Sequence, residues 1–136
     1  MKFRKLLSAA ILFFAAFFVR GVEVVNAGHS GWNSRQLREI FRQELDKNRP
    51  DLIILMVGTN DNLNSYNLVP PEEFEKNLTA MAEAAKASGA ELLLCEIPNA
   101  CQELMQKRHK ADFFHRETAE DKVRRANQIV AAVAEA

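Results

Sequence analysis

Three apolar runs along the chain predict the strands of a sheet. Residues 22–27 form a short run rich in valine, and residues 91–97 hold a run of leucines. Residues 52–57 are continuously apolar, as expected of a strand that is covered on both faces of a parallel sheet. The intervals between the runs are long enough for a helical crossover between consecutive strands.

Helical periodicity fills those intervals and the end of the chain. The first helix is predicted to begin near Asn33 or Ser34, which are both good N-caps. The second begins at the proline pair 70–71 and ends at Gly89, and the last opens at Thr118. The apolar positions predicted to be buried are Leu37, Ile40, Phe41 and Leu45 in the first helix, Phe74, Leu78, Met81, Ala82 and Ala85 in the second, and Val123, Ala126, Ile129, Val130 and Val133 in the last.

The alternation of strands and helices indicates an α/β fold. It predicts right-handed crossovers and a parallel sheet with helices on both faces. Ligands bind such sheets at the carboxyl ends of the strands, where residues 26–33 and 58–63 fall. The polar stretch 102–116 is predicted to be a loop or an irregular helix, and His109 within it a solvated side chain.

The first twenty residues differ from the rest of the chain. Residues 6–19 are apolar and follow a basic start, which is typical of a signal peptide. They are shorter than the roughly 20 residues that span a bilayer. Residues 1–20 are therefore predicted to be a signal peptide or an N-terminal hydrophobic anchor, and the protein to be periplasmic, extracellular or membrane-anchored. The alternative is a buried strand or helix, because the run is rich in phenylalanine.

Charge and cysteine content narrow the possible partners. Eighteen Lys and Arg balance eighteen Asp and Glu, so we expect no nucleic-acid partner, and contact with a membrane only through the N-terminal segment. Cys95 and Cys101 are the only cysteines. They would suit a disulfide in an exported protein, but Cys95 equally suits the apolar end of a strand. Two cysteines supply too few ligands for a metal site.

Two loops carry the candidate chemistry. One is Gly28-His-Ser-Gly-Trp32, and the other is Val57-Gly-Thr-Asn-Asp61. A glycine in such a loop lets a backbone N–H approach a ligand, and an asparagine adds a side-chain N–H donor. Taken separately, the first loop is equally a glycine turn and the second an ordinary Asx turn.

Together, residues 22–34 and 57–61 resemble the second and third sequence blocks of the SGNH hydrolases, the GDSL-like esterases and lipases. The resemblance implies that Gly31 and Asn60 are oxyanion-hole donors and that Asp61 steadies the loop.

The resemblance also implies a fold and a class of substrate. It implies that residues 21–136 form an incomplete, flavodoxin-like α/β/α sandwich of three layers. Intact relatives hydrolyse small acyl esters, often of carbohydrates or lipids, with a Ser nucleophile, a His base and an Asp that orients the base. No metal or organic cofactor is implied. Asn26, Trp32 and Asp61 are the substrate-binding candidates, although Trp32 would also serve as a simple surface anchor.

Two family blocks are not apparent in the chain. No Gly-Asp-Ser precedes Val22; the apolar run would take the place of that strand, yet it ends in Phe-Phe-Val-Arg-Gly without a serine. Asp112-Phe-Phe-His115 fits the Asp-x-x-His pattern, and His115 is a tentative base with Asp112 as its orienter. It comes early for that block, however, and a solvated histidine is the competing interpretation. We therefore expect a truncated domain with negligible esterase turnover.

Two alternatives remain open at the level of the sequence. Gly28-His-Ser30-Gly-Trp32 nearly matches the Gly-x-Ser-x-Gly nucleophile elbow of α/β-hydrolases, with Trp32 in place of the last glycine. Ser30 would then be the nucleophile. The other alternative is a secreted remnant that binds ligands without catalysis.

Overall fold

The computed structural model describes residues 21–110 and 112–136, so the predicted leader, residues 1–20, lies outside the described residues. The described part contains five helices and two strands. In chain order they are α1 (Ser34–Asn48), β1 (Leu52–Leu55), α2 (Thr59–Leu63), α3 (Pro71–Ser88), β2 (Glu91–Leu94), α4 (Gln102–Arg108) and α5 (Ala119–Glu135).

The two strands form a parallel pair joined by α3, which confirms the α/β class. Leu52 is opposite Glu91 and Leu55 is opposite Leu94. The ladder is closed at both ends by bonds of 2.9 Å, from the Glu91 N–H to the Asp51 carbonyl and from the Cys95 N–H to the Leu55 carbonyl. A parallel pair needs such a crossover because its strands run in the same direction.

Local sequence signals set the helix boundaries. Asn33 caps α1, and its side chain and that of Gln36 form a capping box. α3 starts with Pro71 and ends at Gly89, which has a φ of 82°. Thr118 caps α5, and its side chain and that of Asp121 form a capping box. All three predicted helix starts are confirmed.

The core lies between the helices and one face of the sheet. Phe74, Leu78 and Met81 of α3 are at most 1% exposed. They pack in one cluster with residues of α1, β1, α5 and the loops between them. The other members of this cluster are Phe41, Leu45, Leu55, Leu63, Val69, Ala84, Ala85, Ile97, Phe114, Ala119, Val123, Ala126 and Val130.

The predicted first strand is wrong. Residues 21–29 have no regular structure, and Val22 and Val24 are 94% and 86% exposed. Valine favours strands mainly through packing and cross-strand pairing, and no described strand lies beside this run.

The prediction that residues 52–57 are covered on both faces is also wrong for the described part of the chain. Leu55 is buried and Ile53 is half-buried against the core, but Ile54 is 67% exposed. Burial in β1 thus alternates, as in a strand with one covered face.

The strand predicted at residues 91–97 stops early for a visible reason. The Ile97 N–H donates to the Asn127 side-chain oxygen at 2.9 Å, and the Asn127 amide donates to the Ile97 carbonyl at 3.0 Å. A side chain of α5 therefore replaces the strand partner at this position.

Cys95 and Cys101 are free thiols. Within the residues described, no helix is both long enough and apolar enough to cross a membrane.

Candidate functional site

The carboxyl end of β1 leads into a loop whose shape requires glycine. Gly58 has a φ of 124°, and a Cβ there would lie 2.8 Å from Cζ of Phe74. The Gly58 carbonyl accepts bonds from the backbone and the side-chain amide of Asn62, at 3.0 and 2.9 Å. These contacts turn the chain sharply into α2, a single helical turn at the place where an ordinary Asx turn was the alternative prediction.

Asp61 joins this loop to the start of α1. Its carboxylate is fully buried and accepts two bonds from the Ser34 N–H, at 2.9 and 3.1 Å. Burial raises the pKa of Asp61, and the bonds from Ser34 oppose that rise only in part. A carboxylate at a helix N-terminus also interacts favourably with the helix dipole. Asp61 therefore connects this loop to the first turn of α1.

Asn60 makes a second connection between the same two loops. Its side-chain nitrogen Nδ2 donates to the Trp32 carbonyl at 3.0 Å, and its oxygen Oδ1 accepts from Asn64 at 3.3 Å. Gly31, with a φ of 82°, directly precedes Trp32. The structure therefore brings the Gly31 and Asn60 segments together. A side-chain amide carries two N–H donors, so one is left for a ligand after the bond to Trp32.

Arg38, Asn67 and Asn77 lie behind these loops and were not singled out in the sequence. The buried Ser34 hydroxyl accepts from Asn77 at 3.0 Å, and the Asn77 oxygen accepts from Arg38 at 3.0 Å. Asn33 donates to the side-chain oxygen of Asn67 at 2.8 Å. The one available signal was Asn77 itself, a polar residue on the apolar face of α3. Such buried amides are retained only where they find partners.

An apolar cleft of about 470 Å³ lies beside the loops. Trp32, Leu37, Phe41, Ile54 and Asn60 are among the residues that line this cleft. The Trp32 ring stacks on His29, with 4.0 Å between the ring centres and 12° between the planes. Asn26 also lines the cleft, and its side-chain oxygen accepts from the Gly28 N–H at 3.0 Å. The cleft can thus present an aromatic wall next to amide donors.

The remaining candidates are not assembled in the described part of the chain. Ser30, Asp112 and His115 are exposed, and no hydrogen bond in residues 21–110 and 112–136 joins their side chains. Asp112 and His115 are linked only through the backbone, from the His115 N–H to the Asp112 carbonyl at 3.2 Å. The roles predicted for all three remain predictions. No strand precedes Ser30 in the described residues, whereas a nucleophile elbow follows one.

His109 is half-buried, and the prediction of a solvated side chain is wrong. Its Nδ1 lies 3.4 Å from the Ser65 hydroxyl, and the rings of Tyr66, Phe113 and Phe114 surround it. Burial lowers the pKa of His109, and the nearby Arg108 lowers it further. Among the described residues, no group of three His, Cys, Asp or Glu side chains is placed to hold a metal ion.

The chain is similar to a family of lipases and acylhydrolases and to two esterases. A model of the GDSL-like lipase/acylhydrolase family matches residues 8–136. An arylesterase of Vibrio mimicus is 33% identical over 76 residues, which cover 56% of this chain and 36% of the arylesterase. Esterase TesA of Pseudomonas aeruginosa is 35% identical over 74 residues, which cover 54% of this chain and 35% of that esterase. The match spans about a third of the length of these curated relatives.

Proposed function

Because the chain belongs to the GDSL-like lipase/acylhydrolase family, we propose that the loops after β1 and before α1 bind small acyl esters. Gly31 and Asn60 are the proposed donors to the carbonyl oxygen of the ester. The observation that supports this most is the bond from Asn60 to the Trp32 carbonyl, since it holds the two donor segments side by side.

The surroundings of the donors suit an ester. A carbonyl oxygen gains negative charge when it is attacked, and preorganised N–H donors stabilise that charge. The buried bonds from Ser34 to Asp61 fix the loop that carries Asn60, so the donors need little rearrangement. The stacked Trp32 offers an apolar wall to an acyl chain or to the face of a sugar ring. The proposed ligands are therefore small esters of carbohydrates or lipids.

We expect this chain alone to hydrolyse esters negligibly. Hydrolysis through an acyl-enzyme needs a nucleophile in hydrogen-bond reach of a base. In the described residues Ser30 is not bonded to His115, and Asp112 does not orient that imidazole through its side chain. Ester binding and ester turnover are consequently separate proposals with separate tests.

Saturation-transfer NMR with phenyl acetate tests binding. The wild-type chain should transfer saturation to the ester. Asn60→Ala should raise the dissociation constant about tenfold, as expected when one donor is lost. Gln43→Ala removes an exposed amide from α1 and should bind like wild type. Absence of transfer from the wild-type protein to phenyl acetate, or equal affinity of wild type and Asn60→Ala, would overturn the binding proposal.

Covalent labelling tests turnover. The chain is incubated with a serine-reactive fluorophosphonate and mapped by peptide mass spectrometry, and hydrolysis of p-nitrophenyl acetate is followed in parallel. We expect no adduct and a rate equal to that of buffer. An adduct on Ser30 that is lost in Ser30→Ala, together with turnover, would contradict this expectation and favour the nucleophile elbow.

A further inference from the structure

The turn formed by residues 64–67 holds the oxygen of the Asn60 side chain. The Asn64 amide donates to that oxygen at 3.3 Å, and the Asn64 side-chain oxygen accepts from the Tyr66 N–H at 3.1 Å. The Asn67 N–H donates to the Asn64 carbonyl at 3.0 Å, which closes the turn. A displacement of this turn would therefore displace the partner of Asn60.

His109 contacts the same turn from the end of α4. Its backbone N–H donates to the Met105 carbonyl at 3.1 Å, and its Nδ1 lies 3.4 Å from the Ser65 hydroxyl. The Lys110 N–H also donates to the Ser65 oxygen, at 3.5 Å. Because a hydroxyl has one donor and two acceptor positions, Ser65 keeps its own proton for the nitrogen of a neutral imidazole.

A positive charge on His109 is unfavourable in these surroundings. Burial and the nearby Arg108 lower the pKa of His109. The other titratable groups around it are Tyr66, Lys110 over the Tyr66 ring, and Lys122 of α5. The rings around the imidazole are centred 6.3–6.4 Å away, beyond the roughly 6 Å within which a ring attracts a cation well. Within the described part of the chain, no carboxylate forms an ion pair with His109.

We propose that His109 is a positioning residue, which holds the Asn60 amide in place through Ser65 and Asn64 and releases it on protonation. A protonated imidazole carries a hydrogen on both nitrogens, so it can no longer accept from the Ser65 hydroxyl. Its charge is then better hydrated outside the contact. The consequence for ester affinity rests on the proposed function, whereas the coupling between His109 and Asn60 does not.

The contact between His109 and Ser65 should weaken in mild acid. The imidazole is harder to protonate within the contact than in water, because burial lowers its pKa. The contact is therefore fully stable above about pH 6.5, the ordinary pKa of histidine. Its stability is lost progressively as pH falls from that value toward the lowered pKa.

An NMR titration from about pH 5 to pH 8 tests the coupling without an ester. The side-chain amide signals of Asn60 should show a step with the same midpoint as the ring signals of His109. The side-chain amide of Gln43, which is exposed on α1, is the reference and should show no such step. Asn60 signals without a step at the His109 midpoint would overturn the proposal.

Two variants assign that step to His109. His109→Gln keeps an acceptor for the Ser65 hydroxyl but cannot be protonated, so the step should be absent. In Ser65→Ala the step should also be absent, although the His109 ring still titrates. Asp61, whose pKa is raised, titrates in both variants and in wild type, so it does not contribute to the difference. A step that persists in both variants would assign it to another group and refute the role of His109.

Saturation transfer to phenyl acetate connects the coupling to the site. The dissociation constant of wild type should rise roughly fivefold more than that of His109→Gln between about pH 7.5 and pH 5, a coupling of ordinary size. If Asn60 follows His109 but no ester binds at either pH, the coupling stands and the proposed function fails. An ester that binds with the same pH dependence in both proteins would contradict the positioning role.

Discussion

At the scale of single residues, Gly58 is the position where the site depends most on a missing side chain. Its φ of 124° is unfavourable for other residues, and a Cβ would meet the fully buried Phe74 ring at 2.8 Å. Gly58→Ala is expected to lower the free energy of unfolding by roughly 2–4 kcal/mol, through backbone strain and overpacking together. Denaturant titration followed by circular dichroism measures this change.

Gly89 provides the matched control for that substitution. It also has a positive φ, of 82°, but a Cβ there would meet nothing within 4 Å. Gly89→Ala should therefore cost only the strain of a left-handed conformation, about 1 kcal/mol. Equal losses in the two variants would show that the Phe74 contact contributes nothing.

Asp61 should make stability depend on pH. Burial raises its pKa in the folded protein, so the folded state retains the proton to a higher pH than the unfolded chain. The contribution of Asp61 is complete below about pH 3.9, the ordinary pKa of aspartate, and is lost as pH rises through the raised pKa.

The variant Asp61→Asn isolates this contribution because it removes the titrating group while keeping a similar shape. The free energy of unfolding of wild type should fall relative to that of Asp61→Asn between pH 4 and the raised pKa, and then level off. Urea titrations at several pH values measure the difference. A free energy of unfolding of wild type that instead rises with pH relative to that of Asp61→Asn would mean that the bonds from Ser34 outweigh burial.

At the scale of elements, Asn127 holds α5 against the end of β2. Its amide satisfies both backbone groups of Ile97, at 2.9 and 3.0 Å. Asn127→Ala leaves these half-buried groups unpaired and should lower the free energy of unfolding by about 1–3 kcal/mol. Thermal and urea unfolding measure the loss. The neighbouring, exposed Gln128 serves as the control, and a Gln128→Ala loss as large as that of Asn127→Ala would contradict this role.

The helices were predictable because the signals that start and end them are local. Asn33, Thr118, Pro71 and Gly89 act on backbone groups within one turn of themselves. Strands carry no such information, because their stability comes from a partner elsewhere in the chain. Residues 22–27 have a strand-like composition, yet no described strand lies beside them.

At the scale of the whole molecule, both candidate loops were predicted to lie at the carboxyl ends of strands, and they meet through the bond from Asn60 to the Trp32 carbonyl. The network behind them was not predictable, since the contacts of Ser34 and Asn77 join residues 43 positions apart. The exposed face of the sheet was not predictable either, because a continuous apolar run does not reveal which of its two faces the rest of the chain covers. Ile54 has the same hydrophobic character as Ile53 but a different environment.

The bonds from Ser34 to Asp61 make the loop after β1, which we propose binds esters, and the first turn of α1 a single thermodynamic unit. Helix ends fray, and each such excursion releases the carboxylate that holds the Asn60 loop. A ligand that binds that loop should therefore suppress fraying of α1. By reciprocity, a substitution that loosens the first turn of α1 should lower the affinity for that ligand. Affinity at this site can thus be adjusted from the outer surface of α1, without altering any residue that the ligand touches.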